Sequence, residues 1–154
     1  MECEFKDAKK VLNTLQSIFN DKDITRIDIA VAYITEKGYN NLENDFTAFL
    51  KRGGEIRIIV SLSGLGSTES KALNLLLKTN ISNSKFEVKY HCPENGEFHP
   101  KMVIAKTNKG IKKILLGSSN FTAAAQNENA EANVLISSFF QKNNNFLSEV
   151  SQFY

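Results

Sequence analysis

Residues 27–34, Ile-Asp-Ile-Ala-Val-Ala-Tyr-Ile, are apolar at nearly every position. A strand with one wet face alternates between apolar and polar residues. A run like this one belongs in the middle of a sheet whose two faces are both covered. Residues 38–52 follow with Leu42, Phe46, Phe49 and Leu50 at helical spacing, and Gly53-Gly54 supplies a stop signal. Residues 55–62 then read as a second strand. Strand–helix–strand requires a crossover, so the two strands are expected to be parallel neighbours joined in the right-handed sense. The expected class is α/β, with a mixed, largely parallel central sheet covered by helices on both faces.

The remaining segments fit that frame. Residues 4–20 place Phe5, Ala8, Val11, Leu12, Leu15, Ile18 and Phe19 on one side of an amphipathic helix. The loop at 63–69 carries two glycines and several hydroxyls but matches no phosphate-binding fingerprint. It is read as a plain loop with Ser67 or Thr68 capping a helix over 69–80. Residues 86–91 alternate as a third strand, and 93–97 form a turn. Residues 101–106 and 111–116 form a hairpin through a four-residue loop at 107–110. A short helix over 122–127, a strand over 131–136 and an amphipathic helix over 139–153 complete the chain.

At 154 residues the chain is expected to form one domain, 1–154. Its 42% apolar and 23% charged residues are those of a soluble globular protein. No apolar run approaches the ~20 residues that span a bilayer. The opening Met-Glu-Cys-Glu-Phe-Lys lacks the basic region and apolar core of a signal peptide. A cytoplasmic protein without a membrane partner is therefore expected. Cys3 and Cys92 make no disulfide framework and are read as buried free thiols. No Cys/His spacing suggests a metal site, and no cofactor is expected.

The chemistry is concentrated in two places. His99-Pro100-Lys101 opens an apolar strand, and residues of a strand two apart face the same side. The next strand runs into Gly117-Ser118-Ser119-Asn120. A proton carrier or nucleophile beside a fixed cation, opposite a small polar turn, suits phosphoryl chemistry without a metal. Residues 101–113 contain five lysines and no acid, so a positive field is expected beside His99, with Lys106 and Lys113 as substrate contacts.

These two motifs, His-x-Lys followed one strand later by Gly-Ser-x-Asn, resemble the phospholipase D superfamily. The entrance Glu131-Ala132-Asn133-Val134 resembles its nuclease branch, and Asp28–Tyr33 with Gly53–Val60 resemble the fold's first two strands. Lys106 stands where the superfamily's motif has an aspartate. Its metal-independent restriction endonucleases can lack that aspartate, whereas lipid-cleaving members normally keep it.

The resemblance implies a phospholipase D-like fold and cleavage through a phosphohistidine. His99 serves as nucleophile, Lys101 as cation, Ser118 and Asn120 as hydrogen-bonding groups on the phosphate, and Glu131 as the carboxylate that orients a histidine. It implies two histidines and two lysines per site. One chain offers one set, since His91 has no lysine two residues ahead and is read as structural. A homodimer sharing one central site is therefore expected. The expected function is a metal-independent phosphodiesterase or endonuclease acting on DNA, of restriction or defence type, with specificity supplied by a separate subunit or domain. A phosphatidyl- or phosphate-transfer enzyme, and a non-catalytic nucleic-acid-binding module of the same fold, are the alternatives.

Overall fold

The computed structural model describes residues 2–6, 8–62, 68–92 and 94–137. Seven strands form one sheet in the order β1-β7-β6-β5-β2-β3-β4. They are β1 (Glu2–Lys6), β2 (Arg26–Val31), β3 (Glu55–Ser61), β4 (Phe86–His91), β5 (Lys101–Thr107), β6 (Gly110–Gly117) and β7 (Asn133–Ser137). The described helices are α1 (Ala8–Asn20), α2 (Glu36–Asn40), α3 (Glu43–Lys51), α4 (Ser70–Ser82) and α5 (Ala123–Asn127).

β2 sits between β3 and β5, as its apolar run requires, and it pairs parallel with β3. β3 and β4 are also parallel, but the other four pairings are antiparallel. The sheet is mixed rather than largely parallel. Between β5 and β6 the cause is connection length: a tight hairpin joins them and cannot hold a crossover. That hairpin is tighter than expected, since only Asn108 and Lys109 lie between the strands. Gly110, at φ 121°, takes the left-handed conformation its close demands.

Alternation along β2 divides the core. Ile27, Ile29 and Val31 join Val11, Leu15, Ile18, Phe19, Tyr39, Phe46, Phe49 and Leu76 in the main cluster, which draws on α1, α2, α3 and α4. Ala30 faces the other way and joins Met102, Ile104 and Ile114, with Phe98 and Leu116 packed against them. No residue of a described helix belongs to this second cluster. The helix expected over 139–153 lies outside the described residues, as do residues 63–67 of the glycine-containing loop.

Four local expectations are corrected. Residues 2–6 form an edge strand on β7 instead of extending α1, a pairing made across more than 120 residues that local periodicity cannot register. The helix expected over 38–52 breaks at 41–42. There Tyr39 bonds Thr79 at 2.7 Å and Asn41 donates to Gln126 at 2.9 Å, which ties α2 to α4 and α5 while α3 turns onto β3. α4 starts after Glu69, because the Thr68 hydroxyl is spent accepting from the Ile34 amide at 3.3 Å. Cys92 is exposed, on the loop beyond β4, and the side chain of Cys3 lies outside the described set.

Arg52 fixes the turn between α1 and β2. Its guanidinium donates to the carbonyls of Phe19 (3.1 Å), Asp21 (2.7 Å), Lys22 (3.4 Å) and Ile24 (3.1 Å) and lies 4.5 Å over the Phe49 ring. Arg52→Ala is expected to cost about 1–3 kcal/mol in urea unfolding, since several carbonyls lose their donor. Arg52→Lys is expected to recover less than half of that, because one ammonium cannot fork among four acceptors.

Candidate active site

The topology decides where the functional residues meet. β5 runs antiparallel to β2, so its start, Lys101, lies opposite Val31 at the carboxyl end of β2. β6 reverses again, and Gly117 at its end lies opposite Asn133 at the start of β7. His99, Lys101, Ser118, Asn120 and Glu131 are thereby gathered at one edge of the sheet.

The turn after β6 is held from both sides. Gly117 approaches the Ala132 carbonyl so closely that a Cβ would have no room. Ser118 donates its amide to the Ala132 carbonyl at 3.0 Å, and its hydroxyl accepts from the Ala132 amide at 3.0 Å. The same hydroxyl donates to Glu131 in a short hydrogen bond, and Asn129 donates to the other Glu131 oxygen at 3.1 Å. Buried Asn133 donates to the Ser119 hydroxyl at 2.9 Å. Asn133 and Ser119 were not singled out from the sequence. A polar residue at the start of the otherwise apolar β7 was the available signal. Beyond the turn, the Phe121 carbonyl accepts from Thr35 at 3.1 Å and Thr122 caps α5. Asn120 is thus pinned between fixed neighbours. It is 8% exposed, and its buried Oδ1 has no partner.

The exposed His99 is in contact with Lys101. Lys101 Nζ lies 3.1 Å from Nδ1 and 3.1 Å from Nε2 of His99, and donates to the His99 carbonyl at 3.1 Å. Lys101 and Asn120 also line a cavity of about 10 Å³ under the site, with Val11, Leu15 and Asn133 among its other walls. Burial pushes the Lys101 ammonium below its ordinary 10.5, while Glu131 and Glu97 pull it back up. The arrangement provides a ring nitrogen able to attack, a partly desolvated cation beside it, an amide and a hydroxyl. Among the described residues, no three of His, Cys, Asp and Glu gather as a metal-binding cluster.

Two expected substrate contacts lie elsewhere. Lys106 is five residues along β5 from Lys101, about 17 Å away and on the other face. It forms a 2.8 Å ion pair with Asp28, which is 0% exposed. Arg57 donates to the same carboxylate at 2.7 Å, and Arg26 approaches it at 3.5 Å. The position that resembles the superfamily's aspartate thus holds a cation whose acid sits on the neighbouring strand. Lys113 pairs with Asp21 at 3.1 Å, and Lys112 with Asp21 and Asp23 at 2.9 and 2.8 Å. A register shift between Ala105 and Lys106 leaves Lys112 as an extra residue on β6, and Lys112 and Lys113 reach one carboxylate together. The expected positive field beside His99 is therefore mostly consumed at the far end of the sheet. Glu131 bonds Ser118 within the chain, and no contact joins it to His99.

A mixed α/β sheet with His-x-Lys and Gly-Ser-x-Asn at one edge defines a phospholipase D-like domain. The family model described as "Cardiolipin synthase, PLD-like domain" matches residues 9–152, and the chain belongs to that phospholipase D-like family. Among solved structures it resembles Nuc of Salmonella typhimurium, described as a phospholipase D family member (TM-score 0.67, 20% identity, covering 98% of this chain and 92% of that one). It also resembles NucT from Helicobacter pylori (TM-score 0.66, 17% identity, 99% and 92%). It further resembles a polyphosphate kinase from Porphyromonas gingivalis (TM-score 0.70, 14% identity, 99% of this chain but 25% of that one). No curated protein matches the chain.

Burial alone would raise the Asp28 carboxyl, but the hydrogen bonds from Arg57 and Lys106 outweigh it and hold the group below 3.8. Its stabilisation is therefore present above the carboxylate range and lost as pH falls through the depressed value. Lys106→Ala is expected to cost about 1–3 kcal/mol at neutral pH, with the deficit shrinking in acid and KM for any phosphodiester unchanged. Titration of the Lys101 ammonium by heteronuclear NMR should give a midpoint below 10.5, and Glu131→Gln should lower it further.

Proposed function

We propose that this protein is a phosphodiesterase of the nuclease kind, cleaving DNA through a phosphohistidine at a site completed by a second copy of the chain. The observation that carries the reading is the contact of exposed His99 with the partly desolvated Lys101, facing the fixed turn of Ser118 and Asn120. Nuc, described as a phospholipase D family member, and NucT share the fold over nearly their whole length, which supports the phosphodiesterase part of the reading.

One ring nitrogen of His99 attacks phosphorus, forming a P–N bond as the P–O bond to the leaving alcohol breaks. That oxygen takes a proton from the partner's His99, present as imidazolium. The partner's His99, now neutral, removes a proton from water, whose oxygen attacks phosphorus and expels the first His99. The products are an alcohol and a phosphate monoester, and both histidines regain their starting states. Both copies of Lys101 stabilise the negative charge on the non-bridging oxygens, with Asn120 and Ser118 donating to the same oxygens. Glu131 is proposed to orient a histidine across the dimer once the second chain is in place, and meanwhile it holds Ser118.

One histidine per site-forming edge is the reason for the dimer. His91 is at the end of β4, packed against Phe98.

A second reading, phosphatidyl transfer, draws on the cardiolipin synthase for which the matching family is named. Incubation with labelled DNA and with phosphatidylcholine, each in excess EDTA, separates the two. DNA cleavage is expected to persist in EDTA and to fall at least ~1,000-fold in His99→Ala. EDTA-sensitive cleavage would sink the mechanism, and a monomer by light scattering at assay concentration would sink the shared site.

A further inference from the structure

Asn120 is the most enclosed of the groups assigned to the phosphate, and one end of its amide is unaccounted for. The residue is 8% exposed, and its Oδ1 is buried with no donor from the chain. No described residue bonds Nδ2, which carries the amide's remaining exposure. A buried carbonyl oxygen without a donor is costly, and folded proteins meet such a group with a donor of their own or with a bound water.

The same side chain forms part of the wall of the cavity of about 10 Å³ beneath the site. That is the space one water molecule needs. A void of this size walled only by hydrocarbon stays dry, but here Lys101, Ser119 and Asn133 join Asn120 on the wall. Val103 and Leu115 contribute the apolar part. Ser119 has bonding capacity to spare. Its hydroxyl accepts from Asn133 at 2.9 Å, and its own contact with the Ala125 carbonyl is long, at 3.4 Å. A hydroxyl oxygen has two acceptor sites, so a second donor can reach it. With Lys101 on the wall, a metal cation is disfavoured.

We infer that this cavity binds one structural water, which donates one hydrogen to Asn120 Oδ1 and the other to the Ser119 hydroxyl. The water selects between the two orientations of the Asn120 amide. With Oδ1 satisfied inside, Nδ2 is turned outward and can donate to an anionic oxygen. The flipped amide would bury its donor and present a carbonyl oxygen, which repels a phosphate. The step to the phosphate rests on the function proposed above, whereas the water itself does not.

A crystal structure of the full chain at about 1 Å resolution tests the site without any substrate. The expected result is one ordered water within ~3.2 Å of both Asn120 Oδ1 and Ser119 Oγ, with Nδ2 outward. A cavity without density, or Oδ1 bonded to a group of the chain, would overturn the inference. A double-mutant cycle in urea gives a second measurement. Val103→Ile adds a methyl group at the cavity wall and is expected to displace the water. It should raise the unfolding constant about tenfold while Asn120 is present, the scale of an acceptor left unsatisfied. In the Asn120→Leu background, which has no oxygen to satisfy, the same change should have an effect of about threefold or less. Equal effects in the two backgrounds would also overturn it. Neither arm depends on turnover: a chain that cleaves nothing but holds the water rejects the enzymatic reading and leaves the water site standing.

Discussion

Asp28 is a fully buried carboxylate in the central strand, and the sheet is stitched together around it. Arg57 reaches it from β3, Lys106 from β5 and Arg26 from β2 itself. A lone carboxylate at that depth would be very costly, so the position is tenable only with its cations in place. Its partners span the two kinds of pairing in the sheet, one parallel and one antiparallel. The antiparallel one matters for function. It turns the start of β5 toward the carboxyl ends of β2 and β3, where the Gly117–Asn120 turn also emerges.

Much of this was legible in the sequence where local patterns carried it. The apolar run at 27–34 gave the central strand, Gly53 closed α3 and Thr122 began α5. His99-Pro100-Lys101 with Gly117-Ser118-Ser119-Asn120 pointed to the family and to residues that the fold brings to one edge. Features decided by distant partners were not legible. Residues 2–6 look helical until β7 offers them a ladder. Thr68 looks like a cap until the Ile34 amide claims it. The hairpin of β5 with β6 is legible, but the antiparallel pairing of β5 with β2 is made across some 70–80 residues of chain, which local periodicity does not encode.

Charge was the least legible quantity. Five lysines without an acid between residues 101 and 113 read as a positive surface, yet the strands place three of them beside Asp21, Asp23 and Asp28. The acids come from the α1–β2 connection and from β2, some 80 residues earlier in the chain. Antiparallel strands send the two ends of one short basic segment to opposite ends of the sheet. Lys101 is left among glutamates while Lys106, Lys112 and Lys113 are neutralised. A linear run of charge describes a surface only when the segment carrying it stays on one side of the fold.

The hairpin between β5 and β6 has a further consequence. Its tip, Asn108 and Lys109, is exposed and points away from the edge that holds His99 and Lys101, and Gly110 makes no close contact there. Beyond the register shift, the pairs Ile104–Ile114 and Met102–Leu116 lock the strands together again before they reach Lys101 and Gly117. Changes in length at the tip are absorbed before they reach the chemistry. The hairpin is thus a place where a reporter, a tether or a recognition module can be grafted while the geometry at the opposite edge stays in alignment.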